Sequence, residues 1–275
     1  MTQSITPPAG MPEKIRHYIN GEFVDSIDGD EFDVLNPVTN EPYIKAASGK
    51  KADIEAAVAA AKKAFDEGPW PRMLPRERAR ILGKIADIVE SRKDELAAME
   101  SFDSGLPITQ AKGQAARAAE NFRFFADLIV AQVDDAFKVP GRQANYVNRK
   151  PIGVAGLITP WNTPFMLESW KLGPAIATGN TVVLKPAEFT PLSASLWPGI
   201  FEEASSRMKL WTTSRACGSR PAQGSSRKTR RGRPMRAAAS ATRCFCPPES
   251  LRIVRPAKSW SPKGSASSST GRGFS

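Results

Sequence analysis

Two stretches decide the fold: Ile152-Gly153-Val154-Ala155-Gly156-Leu157-Ile158-Thr159-Pro160-Trp161-Asn162 and Thr181-Val182-Val183-Leu184-Lys185-Pro186-Ala187-Glu188. Each opens on a short apolar run bounded by turn residues, the pattern of a buried strand in a parallel sheet. Between them Phe165 to Thr178 reads as a helix, stopped by Gly179-Asn180, and about Thr190 to Ala204 reads as another. The order strand, helix, strand, helix implies a right-handed crossover and an open α/β sheet, incomplete and Rossmann-like.

Toward the N-terminus, residues 1–16 carry no periodic pattern and are expected to be flexible, while His17 to Ser48 reads as β structure. Tyr18-Ile19 and Phe23-Val24 flank Asn20-Gly21, a strong hairpin signal because both turn residues tolerate positive φ. Asp28-Gly29 marks a second turn and Asn36-Pro37 ends the next strand. Lys51 to Glu67 reads as an Ala-rich helix with Ile54, Val58, Ala61 and Phe65 on one face, ended by Gly68-Pro69. Pro75 opens a helix through about Ser101, with Ile81, Leu82, Ile85, Ile88, Val89, Leu96 and Met99 as its buried stripe. Gly105-Leu106-Pro107 breaks it, and a third helix runs from about Ile108 to Asp134 with Ala118, Phe122, Phe125 and Ile129 along one side. Tyr146-Val147-Asn148-Arg149 reads as a further strand.

The chain has 275 residues and a formal net charge of +11, distributed very unevenly. Residues 1–204 hold 23 Lys and Arg against 27 Asp and Glu, whereas residues 205–275 hold 16 basic residues and one acid, Glu249. Fifteen of the 24 serines and all three cysteines, Cys217, Cys244 and Cys246, also fall after position 204. The tail shows no helical or strand period. Its scattered apolar residues bury too little surface to offset a backbone ordering cost of about 1–2 kcal/mol per residue, so disorder is expected.

These patterns limit the function classes. No stretch approaches the roughly 20 continuous apolar residues of a membrane span. Met1 to Pro12 lacks a basic flank followed by an apolar run, so no secretory signal is expected and the cytoplasm is the default location. Cys244-x-Cys246 has no second ligand pair and His17 is the only histidine, so no metal site is expected. Arg227-Lys228-Thr229-Arg230-Arg231-Gly232-Arg233 would attract polyanions by counterion release. It lacks the interleaved aromatics that stack bases. A non-catalytic α/β body with a basic arm binding nucleic acid is therefore the weaker alternative.

Ligands of open α/β sheets bind beyond the C-terminal ends of the strands. Ile158-Thr159-Pro160-Trp161-Asn162 and Lys185-Pro186-Ala187-Glu188 occupy those ends on proline-stiffened turns. The side-chain N–H pair of Asn162 suits a developing oxyanion, and Lys185 with Glu188 suits sugar hydroxyls. On spacing alone, Asn162 reads more readily as an ordinary turn residue and Lys185–Glu188 more readily as a surface ion pair.

In combination the motifs resemble the aldehyde dehydrogenase superfamily. The resemblance rests on Tyr18-Ile19-Asn20-Gly21-Glu22-Phe23, Asn36-Pro37, Pro160-Trp161-Asn162-Thr163-Pro164-Phe165, Trp170-Lys171-Leu172-Gly173-Pro174-Ala175 and Gly179 to Glu188, in order, across residues 15–204. Within the superfamily it looks most like the branch acting on hydroxymuconic-type semialdehydes. It implies oxidation of an aldehyde to an acid with NAD(P) as hydride acceptor. By that resemblance Asn162 holds the oxyanion and Lys171 supports the catalytic region. Ile158, Thr159, Pro160 and Trp161 line the nicotinamide side; Lys185, Pro186, Ala187 and Glu188 form the adenosine-ribose side. The Glu188 carboxylate favours NAD over NADP by repelling a 2′-phosphate. Asn145 to Arg149 resembles part of the flap through which such enzymes form homo-oligomers.

The resemblance stops at Ala204. The expected third strand, pyrophosphate loop, general-base glutamate and nucleophilic cysteine in a Gly-Gln-x-Cys setting are not recognisable in residues 205–275. Two of five sheet strands are expected, with weak NAD binding and no turnover. The tail has the composition expected from a GC-rich gene read out of frame, so a frameshift near codon 205 is expected. His17, beside the first strand, is expected at the surface.

Overall fold

The computed structural model describes residues 6–138, 140–141 and 144–205, with backbone alone at 211–213. All lie in the first of two compact units, residues 1–223; the second, residues 224–275, is outside the described residues. The expectation of a disordered tail falls outside them as well, apart from Ser205 and 211–213.

The chain begins with five short strands: β1 (Lys14–Ile15), β2 (His17–Ile19), β3 (Glu22–Val24), β4 (Glu31–Leu35) and β5 (Pro42–Ala47). Four helices follow: α1 (Lys51–Glu67), α2 (Pro75–Ser91), α3 (Lys93–Ser104) and α4 (Ile108–Ala131). A two-stranded ribbon, β6 (Ala136–Lys138) and β7 (Ala144–Tyr146), leads into β8 (Val154–Ile158), α5 (Pro164–Ala177), β9 (Thr181–Lys185), α6 (Trp197–Ala204) and β10 (Trp211–Thr213). The result is an α/β fold with an incomplete, Rossmann-like parallel sheet.

The principal sheet has the order β3-β2-β10-β9-β8. β8, β9 and β10 are parallel, and the β2–β3 hairpin joins β10 antiparallel. Asn20 and Gly21 take φ of 55° and 88°, the positive values a two-residue hairpin turn requires. A second sheet has the order β1-β5-β4.

Several expectations change here. The sheet has three parallel strands rather than two, because Trp211–Thr213 pairs beside β9 despite the unpatterned sequence around it. Order reaches back into the segment expected to be flexible: Lys14–Ile15 pairs in parallel with β5, and Lys14 bridges Asp25 and Glu31. The helix read from Pro75 to Ser101 divides at Arg92, whose φ of −100° and ψ of 13° leave helical geometry. The strand read at 146–149 is Ala144–Tyr146, paired antiparallel with β6, and the third helix, read to Asp134, ends at Ala131. The helix read from Thr190 is a 3-10 turn, Ser193–Leu196, followed by α6.

His17 is buried, 1% exposed, rather than at the surface. β2 has a neighbour on each side, and the His17 ring reaches Asp53 at the start of α1, with Nε2 3.9 Å from Oδ1. Burial pushes the Asp53 carboxyl up. The N–H groups of Lys50 and Ile27, together with His17 and Ser26, outweigh this and hold it below the usual range. α1 presents Asp53, Ala57 and Ala61 inward, while Val58 is 41% exposed. Small residues thus bring the helix close to the sheet, and Thr181 Oγ1 donates to the Ala61 carbonyl at 2.9 Å.

The main core lies between α2, α4, α5, α6 and the sheet. Trp197 stacks on Phe165 with ring centres 4.2 Å apart and donates from Nε1 to Glu168 Oε2 at 2.7 Å. Trp70 Nε1 donates to the Ile176 carbonyl at 3.0 Å, and Arg78 Nε to the Ala177 carbonyl at 2.9 Å, so two side chains close the C-terminal end of α5. Gly173 permits a close helix contact, since a Cβ there would lie 2.7 Å from the Phe125 ring.

Candidate functional site at the strand exits

β8 and β9 run side by side in register, Ile158 opposite Lys185, so their exits open at the same edge of the sheet. Two hydrogen bonds join the exits. The Thr159 N–H donates to the Lys185 carbonyl at 3.1 Å, and Thr190 Oγ1 donates to the Trp161 carbonyl at 3.2 Å. The two motifs read separately from the sequence thus form one surface. α5 starts directly after Asn162-Thr163, with Pro164 in its first turn, where the missing N–H costs no intrahelical bond.

Within this surface the candidate residues divide. Ile158 is 64% exposed, and Pro160, Trp161, Asn162 and Glu188 are exposed with it. Lys185 is half-buried and donates from Nζ to the Pro186 carbonyl at 3.2 Å. Lys185 and Glu188 form no ion pair with each other; the Lys185 ammonium is turned to the backbone. Thr159, Pro186 and Ala187 are buried. Thr159 Oγ1 finds no hydrogen-bond partner among the described residues. Pro186 lines a cleft with Ile15, Arg16, His17, Pro191, Ala194 and Ser195, a lining that does not include Asn162. Lys171 is exposed on α5, about 10 Å further along the helix than Pro164 at 1.5 Å per residue, so Asn162 and Lys171 are not brought together.

Asn180 immediately precedes β9 and holds the approach to β8. Its Oδ1 accepts the N–H groups of Ile152 and Gly153 at 2.8 and 3.0 Å, and its Nδ2 donates to Thr178 Oγ1 and the Ala175 carbonyl. Gly179 precedes it with φ of 89°, a conformation costly for any residue with a Cβ. The sequence marked Gly179-Asn180 as a helix stop, and nothing local disclosed the second task. Thr190 and the buried carboxylates Asp103 and Glu168 were likewise missed. Each works through a partner distant in sequence: Thr190 through Trp161, Asp103 through Leu192 and Glu168 through Trp197.

The comparisons with known proteins agree with this architecture. The sequence model of the aldehyde dehydrogenase family matches residues 23–208. The chain belongs to the aldehyde dehydrogenase family. An aldehyde dehydrogenase of Alternaria alternata is 46% identical over 191 residues, covering 68% of this chain and 38% of that protein. The crystal structure of HpcC from Thermus thermophilus superposes with a TM-score of 0.70 at 42% identity, covering 74% of this chain and 39% of that one. The aldehyde dehydrogenase of Bacillus cereus in complex with NAD+ gives a TM-score of 0.71 at 38% identity, covering 74% and 42%. This chain therefore spans about two fifths of the length of these aldehyde dehydrogenases. Among its described residues no helix is long and apolar enough to cross a membrane.

Proposed function

We propose that this chain is the nucleotide-gripping N-terminal part of an NAD(P)-dependent aldehyde dehydrogenase oxidising a semialdehyde to a carboxylic acid, without turnover of its own. The supporting observation is the joined pair of strand exits, which presents Asn162, Trp161, Ile158, Lys185 and Glu188 along one sheet edge. The exposed faces of Ile158 and Trp161 and the polar ends of Lys185 and Glu188 fit the nicotinamide and ribose portions of a dinucleotide. The pyrophosphate has no matching loop among the described residues. When bound, NAD(P) supplies the hydride acceptor.

In a dehydrogenase that supplies the thiolate, Asn162 donates its side-chain N–H pair to the oxyanion formed when that thiolate adds to the aldehyde; removing one such donor costs an enzyme about 10²–10³ in kcat. Trp161 and Ile158 shield the reacting face from water. Lys185 and Glu188 hold ribose hydroxyls, with the Glu188 carboxylate favouring NAD over NADP. Lys171 braces α5 behind the site. The thiolate and the general base have no counterpart in a recognisable setting, since Cys217, Cys244, Cys246 and Glu249 lie in the unpatterned tail. A frameshift near codon 205 accounts for the change of character, and translation of the gene in all three frames tests it. Assembly through the 144–146 ribbon and a cytoplasmic location complete the proposal.

Titration calorimetry and NADH absorbance on the 275-residue chain test the reading. We expect NAD affinity weaker than micromolar, lowered about tenfold further by Glu188→Ala, and no NADH from any aldehyde. NADH production abolished only by substituting Cys217, Cys244 or Cys246 would overturn it.

A further inference from the structure

The turn between β8 and α5 carries Trp161 and Asn162, and a side chain from beyond β9 reaches into it. Thr190 Oγ1 donates to the Trp161 carbonyl at 3.2 Å, across 29 positions of sequence. Thr190 is 3% exposed, whereas Trp161 is 58% exposed and Asn162 is exposed beside it. The bond therefore draws the Trp161 carbonyl inward from an open turn. No peptide bond among the described residues is cis, and in a trans peptide the N–H points opposite to the C=O. The Asn162 N–H is thus turned outward, and among the described residues it meets no acceptor.

We propose that Thr190 is a positioning residue for Asn162, fixing the orientation of the Trp161–Asn162 peptide. With the carbonyl held inward, the main-chain N–H of Asn162 faces the open side of the turn, next to its own side-chain amide. That side then offers donors to an oxygen bearing negative charge. A flip of this one peptide would exchange N–H for C=O, setting a carbonyl dipole against the same oxygen and removing a donor. The Thr190 hydroxyl opposes the flip because the reversed carbonyl would leave it without its acceptor in a buried position. The proposal rests on the dehydrogenase reading only for the identity of that oxygen.

Thr190 is well placed to aim a hydroxyl. Pro191 follows it and restricts its backbone to extended conformations, and its branched Cβ limits χ1 to few rotamers. Two residues on, the Leu192 N–H donates to Asp103 Oδ2 at 2.8 Å, and Tyr43 Oη donates to Asp103 Oδ1 at 2.5 Å. The hydroxyl is thereby delivered from a segment tied to α3. The start of the turn is held separately, by the Thr159 N–H on the Lys185 carbonyl at 3.1 Å. Between Thr159 and Asn162, Thr190 supplies the bond that decides which way the last peptide faces.

NMR of the 275-residue chain with Thr190→Val and Thr190→Ser tests this. Val keeps the shape and loses the hydroxyl; Ser keeps the hydroxyl and loses a methyl group. Thr190→Val should shift the Trp161 carbonyl carbon and the Asn162 amide nitrogen together while Val34 in β4 stays put. Thr190→Ser should return both to their wild-type positions, which a packing role for the methyl group would not do. Unmoved resonances in Thr190→Val would overturn the proposal, as would Thr190→Ser behaving like Thr190→Val. Should Thr190→Val fail to fold, the wild-type chain decides: the Thr190 hydroxyl proton should exchange slowly enough to be observed, and exchange at the solvent rate would overturn the proposal. NAD titrated into the same samples should bind Thr190→Val about two- to tenfold more weakly, the value of one ordinary hydrogen bond. No NAD binding to any sample, with the expected shifts intact, counts against the dehydrogenase reading alone. Equal NAD affinity of wild type and Thr190→Val counts against the positioning role alone.

Discussion

β9 and β8 are adjacent strands of one sheet, of equal length and similar apolar character, with different surroundings. β9 lies between β8 and β10, and Thr181, Val182 and Leu184 are buried; among the described residues β8 pairs on one side only, and of its residues only Leu157 is buried. The apolar sequence is common to both, so the second neighbour makes the difference. β8 keeps the composition of an interior strand in the position of an edge. An unpaired edge of that composition is prone to further pairing.

The comparison can be broken most sharply at Leu184. Leu184→Ala should cost about 2–5 kcal/mol in denaturant unfolding, because a fully buried side chain leaves a cavity. Asn180→Ala comes next, at about 1–3 kcal/mol, since two N–H groups at the head of β8 lose their acceptor. Hydrogen exchange should then accelerate through β8 well before β9, and equal acceleration would show that the strands are not independently held. Gly173→Ala should cost about 1–3 kcal/mol by forcing Phe125 aside, weakening α4–α5 packing beneath both strands. Ile158→Ala is the smallest effect, within about 0.5 kcal/mol, because the side chain already meets solvent. A loss as large as that of Leu184→Ala would show that the β8 edge is covered in solution.

The parts legible in the sequence are those governed by local chemistry. α1 and β9 begin and end where read, because Gly68-Pro69 and Gly179-Asn180 punctuate them and Lys185-Pro186 closes the strand. The hairpin at Asn20-Gly21 follows from two positive φ values. Illegible features depend on distant partners. The inward face of α1 is Asp53, Ala57 and Ala61 because the helix sits close to β9, a constraint a stripe of larger residues conceals. The burial of His17 needs Asp53, and β10 needs β9 and β2 on either side to be a strand at all. At the site, Asn162, Trp161, Lys185 and Glu188 were visible as residue types at strand exits. The Thr190 link joins segments far apart in the chain and leaves no spacing signal.

The bonds from Thr159 to Lys185 and from Thr190 to Trp161 have a mechanical consequence. They lash two loops into a single ledge, with Glu188 strung between the anchors Lys185 and Thr190 and Asn162 next to the anchor Trp161. The spacing between those two side chains is therefore set by the anchors as well as by the loops that carry them.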